Sequence, residues 1–301
     1  MPGMSGKLPS ISEVEVAGKA VLVRGDLDVE DGENPRVDAV REVIKRLSDE
    51  GAGKIRVIGH RETNFDICIQ LRGEFPEVEF DDQLRVDPGE KADDEEYAKK
   101  LAEGWDVYVN EAFATSHRKH ASIDALPRWM KKNKRWVCLG MRFEKEIEML
   151  SLVWDKPGRR VLVIGGVKIE DKQKFAENMK DKFAAVLKGG LLPGVILRPD
   201  GLDIADETIN KYGEEISTAE VILAAGVMGK YEDPGAVKGT KSVLEAIANN
   251  EKAYKVAGGG DIETAISTYG LTEKFDWISV GGGAMLEYLA MGTLVGIEAL
   301  S

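Results

Sequence analysis

The sequence predicts an α/β protein of two Rossmann-like domains, each a mainly parallel sheet flanked by helices, joined by a helical hinge. Three observations predict it. Short apolar, β-branched runs alternate with stretches of helical periodicity, the rhythm of βαβ units. Glycine clusters follow directly on several of those runs. One long helical pattern near the middle, "MRFEKEIEMLSLVWDKPGRR" (Met141 to Arg160), stops at Pro157-Gly158, as a connecting helix does.

Taken in order, "AVLVRGD" (Ala20 to Asp26) reads as a strand, "AVREVIKRL" (Ala39 to Leu47) as a helix and "KIRVIGH" (Lys54 to His60) as the next strand. "DDEEYAKKLAEG" then reads as a helix and "WDVYVNEA" as a strand. Beyond the connecting helix, "RRVLVIGG" is a strand and "DKQKFAENMKDKF" a helix; "AEVILAAG", "AYKVAGGGD" and "DWISVGGGA" are later strands. A length of 301 residues suits about two domains, each large enough to bury its own core. The domain boundary falls in the connecting helix.

Composition narrows the function classes. The chain is 43% hydrophobic and 31% charged, without an apolar run near the ~18 residues of a membrane span and without a charged-then-apolar leader, so a soluble cytoplasmic protein is expected. A net charge of −12 argues against nucleic acid, whose binding rests on neutralising phosphates. The basic run "RWMKKNKR" (Arg128 to Arg135) reads as a solvated face. Cys68 and Cys138 are far apart and isolated from histidine, which favours reduced buried thiols over a zinc site or a disulfide. A small-molecule partner is expected.

The second half carries three glycine clusters, each directly after an apolar strand: Gly165-Gly166, Gly258-Gly259-Gly260 followed by Asp261, and Gly281-Gly282-Gly283. "DIETAI" and "AMLEYLA", after the last two, read as helix starts. Glycine at such a turn lets the backbone approach a ligand and aims free N–H groups, at the positive end of the helix dipole, toward an anion. Ligands of parallel sheets sit beyond the carboxyl ends of the strands, so three such turns converge on one crevice. Lys168 and Lys172, four apart, lie on one helix face behind the first turn. "GGVKIEDK" lacks the Walker spacing, and the GxGxxG fingerprint with its ribose acid is not satisfied, so the cradle is of another kind.

The first half is rich in arginine and histidine instead. His60 ends a strand in "VIGHRE", and His117 and His120 flank Arg118 in "NEAFATSHRKHAS". Arg36 follows Pro35 before a helix, Arg85 sits in "DDQLRVDPGE", and "RGDLD", with Asp26 and Asp28, ends another strand. Together they form an electropositive rim able to hold a carboxylate or a phosphate ester by bidentate bonds.

At these residues the chain resembles the phosphoglycerate kinase family, in order from about Val21 to the C-terminus. The segments that carry the resemblance are "VLVRGDLDV", "NPRVDAVREVIKRL", "DVYVNEAFATSHRKHAS", "VIGGVKIEDK", "VAGGGD" and "ISVGGGAMLEYLAMGTLVGIEAL". The resemblance implies an N-terminal domain (1–142) for 3-phosphoglycerate and a C-terminal nucleotide domain (143–290) for Mg-ADP or Mg-ATP. It further implies a hinge helix at about 143–156 and a tail (291–301) that returns to the N-terminal domain. Hinge closure would join the two ligands for reversible phosphoryl transfer from 1,3-bisphosphoglycerate to ADP, in a monomeric enzyme of glycolysis.

Carried over by position, the resemblance gives Arg118 and Arg85 the substrate phosphate, places Asp26, Asp28 and His60 near the glycerate end, and makes Arg36 the transfer arginine. Lys168 would contact the migrating phosphoryl group, Lys172 the nucleotide phosphates, Asp261 the Mg²⁺ and Glu232 in "GVMGKYE" the ribose. Gly281, Gly282 and Gly283 would offer N–H groups to the moving phosphate. Gly165, Gly166, Gly189, Gly190, Gly258, Gly259, Gly260 and Ile262 complete the nucleotide site. The acceptor is a carboxylate, ionised at neutral pH, so positioning and charge stabilisation suffice without a general base.

The chain departs from the family pattern at several places. Thr63 stands where an arginine is usual, with Arg61 as the candidate substitute. Asp28 replaces an asparagine, which adds a carboxylate near an anionic substrate and weakens binding unless it is paired or protonated. After Gly189-Gly190, "LLPGVILRPDGLDIADETI" jumps over a region that supplies part of the adenine pocket; "WNGPMG" has become "AAGVMG" (Ala224 to Gly229), and a threonine has become Ile262. A compact phosphoglycerate kinase is the leading reading. Its rivals are a family-derived phosphoanion or nucleotide binder with impaired turnover, and a kinase for another small carboxylate.

Overall fold

The computed structural model describes residues 8–30, 32–167 and 169–301. The chain divides into two compact units, Met1–Ile147 with Gly292–Ser301, and Glu148–Met291.

In the first unit β1 (Ala20–Arg24), α1 (Pro35–Asp49), β2 (Lys54–Ile58), α2 (Ile67–Glu74) and β3 (Glu79–Asp81) are followed by α3 (Pro88–Ala92), α4 (Glu95–Ala102), β4 (Val107–Asn110), α5 (Ala125–Lys132), β5 (Trp136–Leu139) and the start of α6 (Met141–Asp155). The strands form one parallel sheet in the order β3-β2-β1-β4-β5. β1 and β4 are buried along almost their whole length because helices cover both faces of such a sheet. α1 shows why its sequence is helical: Asn34 caps it by accepting from the Arg36 N–H (3.1 Å), Pro35 fills the first turn, and Val37, Val40, Ile44 and Leu47 recur on one face, all fully buried. Burying each such side chain contributes roughly 1.5–3 kcal/mol.

The second unit takes up the rest of α6 and continues through β6 (Arg160–Ile164), α7 (Ile169–Met179), β7 (Ala185–Lys188), α8 (Asp206–Ser217), β8 (Val221–Ala225), α9 (Lys238–Asn249), β9 (Tyr254–Gly258), α10 (Gly260–Thr268), β10 (Trp277–Ser279) and α11 (Gly282–Met291). Its sheet is again fully parallel, in the order β10-β9-β8-β6-β7. The final helix, α12 (Val295–Leu300), belongs to the first unit, where the Gly296 N–H donates to the Ser116 carbonyl (2.9 Å).

In each sheet the strand order reverses once, between β1 and β4 in the first and between β6 and β8 in the second. At such a reversal the connections leave in opposite directions and open a crevice beyond the carboxyl ends of the strands. Arg24-Gly25-Asp26 and Asn110-Glu111 end the central strands of one sheet; Gly165-Gly166 and Gly226 end those of the other.

Candidate active site

The first unit builds its crevice around a buried polar network. Arg24, the last residue of β1, is 1% exposed and donates through Nε to Ser122 Oγ (2.9 Å) and through Nη1 to the Gly25 carbonyl. Ser122 in turn donates from Oγ to Glu90 Oε1 (2.6 Å) and from its N–H to Oε2 (2.9 Å). The same carboxylate lies 3.4 Å from His60 Nδ1 and 3.9 Å from His120 Nδ1, and the two imidazoles stack at 4.7 Å. Burial opposes the charge on Glu90, but the hydrogen bond with His60 and the field of Arg24 hold its carboxyl below the usual range. Burial, with the neighbouring His60, pushes His120 down to about 4, so it is neutral at pH 7.

Around this network stand the residues singled out in the sequence. Arg36, placed by the Asn34 cap at the start of α1, reaches Asp26 (Nε to Oδ2, 3.7 Å) and the Asp28 carbonyl (Nη1, 3.4 Å). Asp26 is 2% exposed, and its Oδ2 accepts no hydrogen bond. Arg118 is exposed, with no ion-pair partner among the described residues. Arg85 is half-exposed and pairs with Glu62 (3.2 Å).

Two readings of the departures change. Asp28 is a clasp: its Oδ1 accepts from the N–H groups of Glu62 (2.8 Å) and Thr63 (2.9 Å), which ties the loop after β1 to the loop after β2. Arg61 does not substitute for an arginine at position 63. Its Nε donates to Asp82 Oδ2 (2.6 Å), its Nη1 donates to the carbonyls of Thr63 and Phe65, and Asp66 lies 3.6 Å from Nη2, so the whole guanidinium is spent on the loop's own fold.

In the second unit the glycine turns meet backbone to backbone. Gly189 N–H donates to the Ile164 carbonyl (2.9 Å), Gly190 N–H to Met228 (2.7 Å) and Leu191 N–H to Gly166 (3.1 Å). A Cβ on Gly282 would fall 2.8 Å from the Gly259 Cα, so the turns after β9 and β10 lie against each other only because both are bare. Gly166 has φ +100°, and a Cβ there would stand 3.0 Å from Lys172 Nζ and 3.8 Å from Asp261 Oδ2. That close approach places an ammonium and a carboxylate over the same bare backbone. Lys172 Nζ also donates to the Gly165 carbonyl (2.5 Å). Asp261, in the first turn of α10, is exposed and without an ion-pair partner among the described residues. Its helix is preceded by Gly259 at the N-cap, which has no side chain to cap the first N–H groups.

Glu232 is exposed, and its charge helps to raise the Tyr231 and Tyr269 phenols beyond the effect of their burial. Gly258, Gly260, Gly281 and Gly283 lie in the same β9–α10 and β10–α11 turns. The side chain of Ile262 is 1% exposed and packs in the core of the second unit, which leaves its backbone on the side of the turn. Lys168 lies outside the described residues. After β7, residues 189–205 run without helix or strand beyond one bridge, Leu197 to Ile204, and expose Leu191 and Ile196.

Sequence reasoning passed over Arg24, Glu90, Ser122, Glu62, Lys91 and Glu111. Arg24 lies within "RGDLD", Glu62 within "VIGHRE", Glu111 and Ser122 within "NEAFATSHRKHAS" and Glu90 within "DDQLRVDPGE", yet no spacing there marks them as partners. Among the described residues no helix is long and apolar enough to cross a membrane. Cys68 and Cys138 are buried free thiols, both pushed up chiefly by burial, Cys68 to about 12.

Two parallel α/β units, one with a guanidinium rim over a buried network and one with an uncapped glycine cradle, offer the groups that a phosphotransferase needs. The phosphoglycerate kinase family model matches residues 77–198 and 197–291. The chain belongs to the phosphoglycerate kinase family. It is 30% identical to the phosphoglycerate kinase of Acidobacterium capsulatum over 77% of this chain and 72% of that one. With that of Bdellovibrio bacteriovorus it shares 29% over 99% and 98%. The fold matches the solved phosphoglycerate kinase of Pyrococcus horikoshii with a TM-score of 0.81 at 25% identity, over 97% of this chain and 98% of that one. With that of Coxiella burnetii the TM-score is 0.82 at 22% identity, over 98% and 99%. Membership supports a kinase with a carboxyl acceptor over a family-derived binder with impaired turnover.

Proposed function

We propose that this chain interconverts 1,3-bisphosphoglycerate and ADP with 3-phosphoglycerate and ATP, the first unit taking the three-carbon substrate and the second the nucleotide with Mg²⁺. The observation that supports it best is the meeting of Lys172 and Asp261 over Gly166, at the strand-order reversal of the second sheet. A cation, an unpaired carboxylate and uncapped amides in one place suit a metal-bound polyphosphate. Mg²⁺ is held by one or two carboxylates plus phosphate oxygens rather than by an all-protein cage, and the single exposed carboxylate of Asp261 fits that pattern. When bound, the ion supplies neutralisation of the phosphate oxygens.

On this reading Arg118 and Arg85 hold the substrate phosphate, and Asp26, Asp28 and His60 border the glycerate end. Arg36 and Lys168 meet the charge on the group in transit, together with the N–H groups of Gly281 and Gly282. Lys172 and the turns at Gly165-Gly166, Gly189-Gly190 and Gly258–Gly260 hold the nucleotide phosphates, and Glu232 borders the ribose. The base would lie against Val167 and Leu191, which are exposed beside the Gly166 carbonyl. A neutral His120 agrees with a reaction that needs no general base. The same reading makes the protein a cytoplasmic monomer.

A coupled assay with 3-phosphoglycerate and Mg-ATP tests the proposal. Turnover should fall by about two orders of magnitude or more in Lys168→Ala and in Arg36→Ala. Nucleotide binding without transfer in the unsubstituted chain would sink it, and turnover of a different small carboxylate in a substrate panel would redirect it.

A further inference from the structure

The Glu62 carboxylate sits among the nitrogens of a site that would hold an anion. Its Oε1 lies 3.2 Å from Arg85 Nη1, 3.6 Å from Lys91 Nζ and 3.6 Å from His60 Nε2. Those three groups come from the turn before α3, from α3 itself and from the loop after β2, yet they converge on one oxygen. The His60 side chain is 3% exposed, and its Nε2 has no hydrogen-bond partner. A buried polar atom of this kind is costly unless something polar can reach it.

The backbone under Glu62 is fixed. Its N–H and that of Thr63 are held by Asp28 Oδ1, and the neighbouring Arg61 is locked onto Asp82. Only the side chain, 40% exposed, can swing. Thr63 adds no charge to the site, since its hydroxyl donates to the Val29 carbonyl (3.0 Å). Lys91 therefore brings from α3 the cation that position 63 does not supply.

We infer that Glu62 is a built-in competitor for the substrate phosphate, and that Lys91, beside Arg85, holds that phosphate once Glu62 swings out, with His60 Nε2 facing it from the glycerate side. This rests on the reading that the first unit binds 3-phosphoglycerate. Exposed ion pairs are individually weak, so the swing is accessible. A phosphate ester carries more charge than a carboxylate and displaces it. The apparent affinity is lowered by the fraction of time the position is vacant. Glu62 thereby sets the substrate concentration at which the site fills.

Steady-state kinetics on the full chain with 3-phosphoglycerate and Mg-ATP test this. Glu62→Gln lowers the KM for 3-phosphoglycerate about three- to tenfold, the range expected for removing a few exposed charge pairs, and the gain in kcat/KM comes through KM. Lys91→Met raises that KM by a similar factor. A Glu62→Gln KM equal to or above that of the unsubstituted chain, or a Lys91→Met KM no higher than it, overturns the inference. If the unsubstituted chain turns over no 3-phosphoglycerate at all, the substrate reading fails instead. The anion position is then read by calorimetric titration with sulfate, and sulfate that binds Glu62→Gln no tighter than the unsubstituted chain overturns it.

Discussion

Single side chains set the chemistry by what occupies them at rest. Arg36 is aimed by a cap and two short-range contacts, so its guanidinium is presented before any ligand arrives, and such preorganised charge acts without reorganisation cost. Arg36→Ala should raise the barrier by about 3–5 kcal/mol, read as a fall in kcat of two to three orders of magnitude or more. Lys172→Met should act differently. It removes the ammonium beside Gly166 and should weaken ADP binding at least tenfold by calorimetry, while 3-phosphoglycerate still binds; equal loss of both ligands would instead mean a folding defect. Asp28 illustrates a residue whose meaning changed with structure. Its charge suggested weakened binding, whereas its Oδ1 is engaged by two backbone N–H groups that no sequence pattern announces.

Elements fix where those side chains stand. The Asn34 cap is worth about 1 kcal/mol, so Asn34→Ala should lower the urea midpoint by that equivalent and also reduce turnover, because the first turn of α1 carries Arg36. The N-terminus of α6 is held by Glu111, whose Oε1 accepts the Phe143 N–H (2.9 Å) from a 4%-exposed position. Burial, only partly offset by the N–H groups of Phe143 and Arg142, pushes its carboxyl up to about 8. The folded state therefore holds a proton that the unfolded chain has released above about 4.5. The stabilisation is complete below that pH and is lost as pH rises through about 8. Glu111→Gln, which mimics the protonated form, should flatten the stability curve across that window, by a few kcal/mol at its upper end. Denaturant melts at pH 5 and pH 8 read this, and an unchanged slope would refute it. Elements were also the scale at which sequence patterns thinned out. β3, β5 and β7 span three to four residues at or next to sheet edges, too short for a periodic signal, and α2, α8 and α9 went unread between them.

For the whole molecule, the expectation is two half-sites that fill independently. Titration with ADP, ATP, GDP and 3-phosphoglycerate should give one site for the three-carbon acid and one for the nucleotide. If the apolar wall at Val167 and Leu191 receives the base, ADP and GDP should differ in affinity by less than tenfold, since neither side chain can read a purine edge by hydrogen bonding. With both ligands present, small-angle scattering should show a smaller radius of gyration than with either alone, and an unchanged radius counts against closure.

Local residue patterns were enough to read the class of both sheets, the long central helix, and the glycine turns with their lysine and aspartate. Each of these is written in contiguous residues: alternation of period and the glycine after a strand are local signals. Tertiary structure decided which charges are available. Arg61 is consumed by Asp82, Glu90 is joined to Arg24 through Ser122, Ile262 is buried, and Glu62 lies across Arg85, Lys91 and His60. Those outcomes depend on distances between segments remote in the chain, and an electrostatic partner is chosen by proximity in space, which no spacing along one strand or helix encodes.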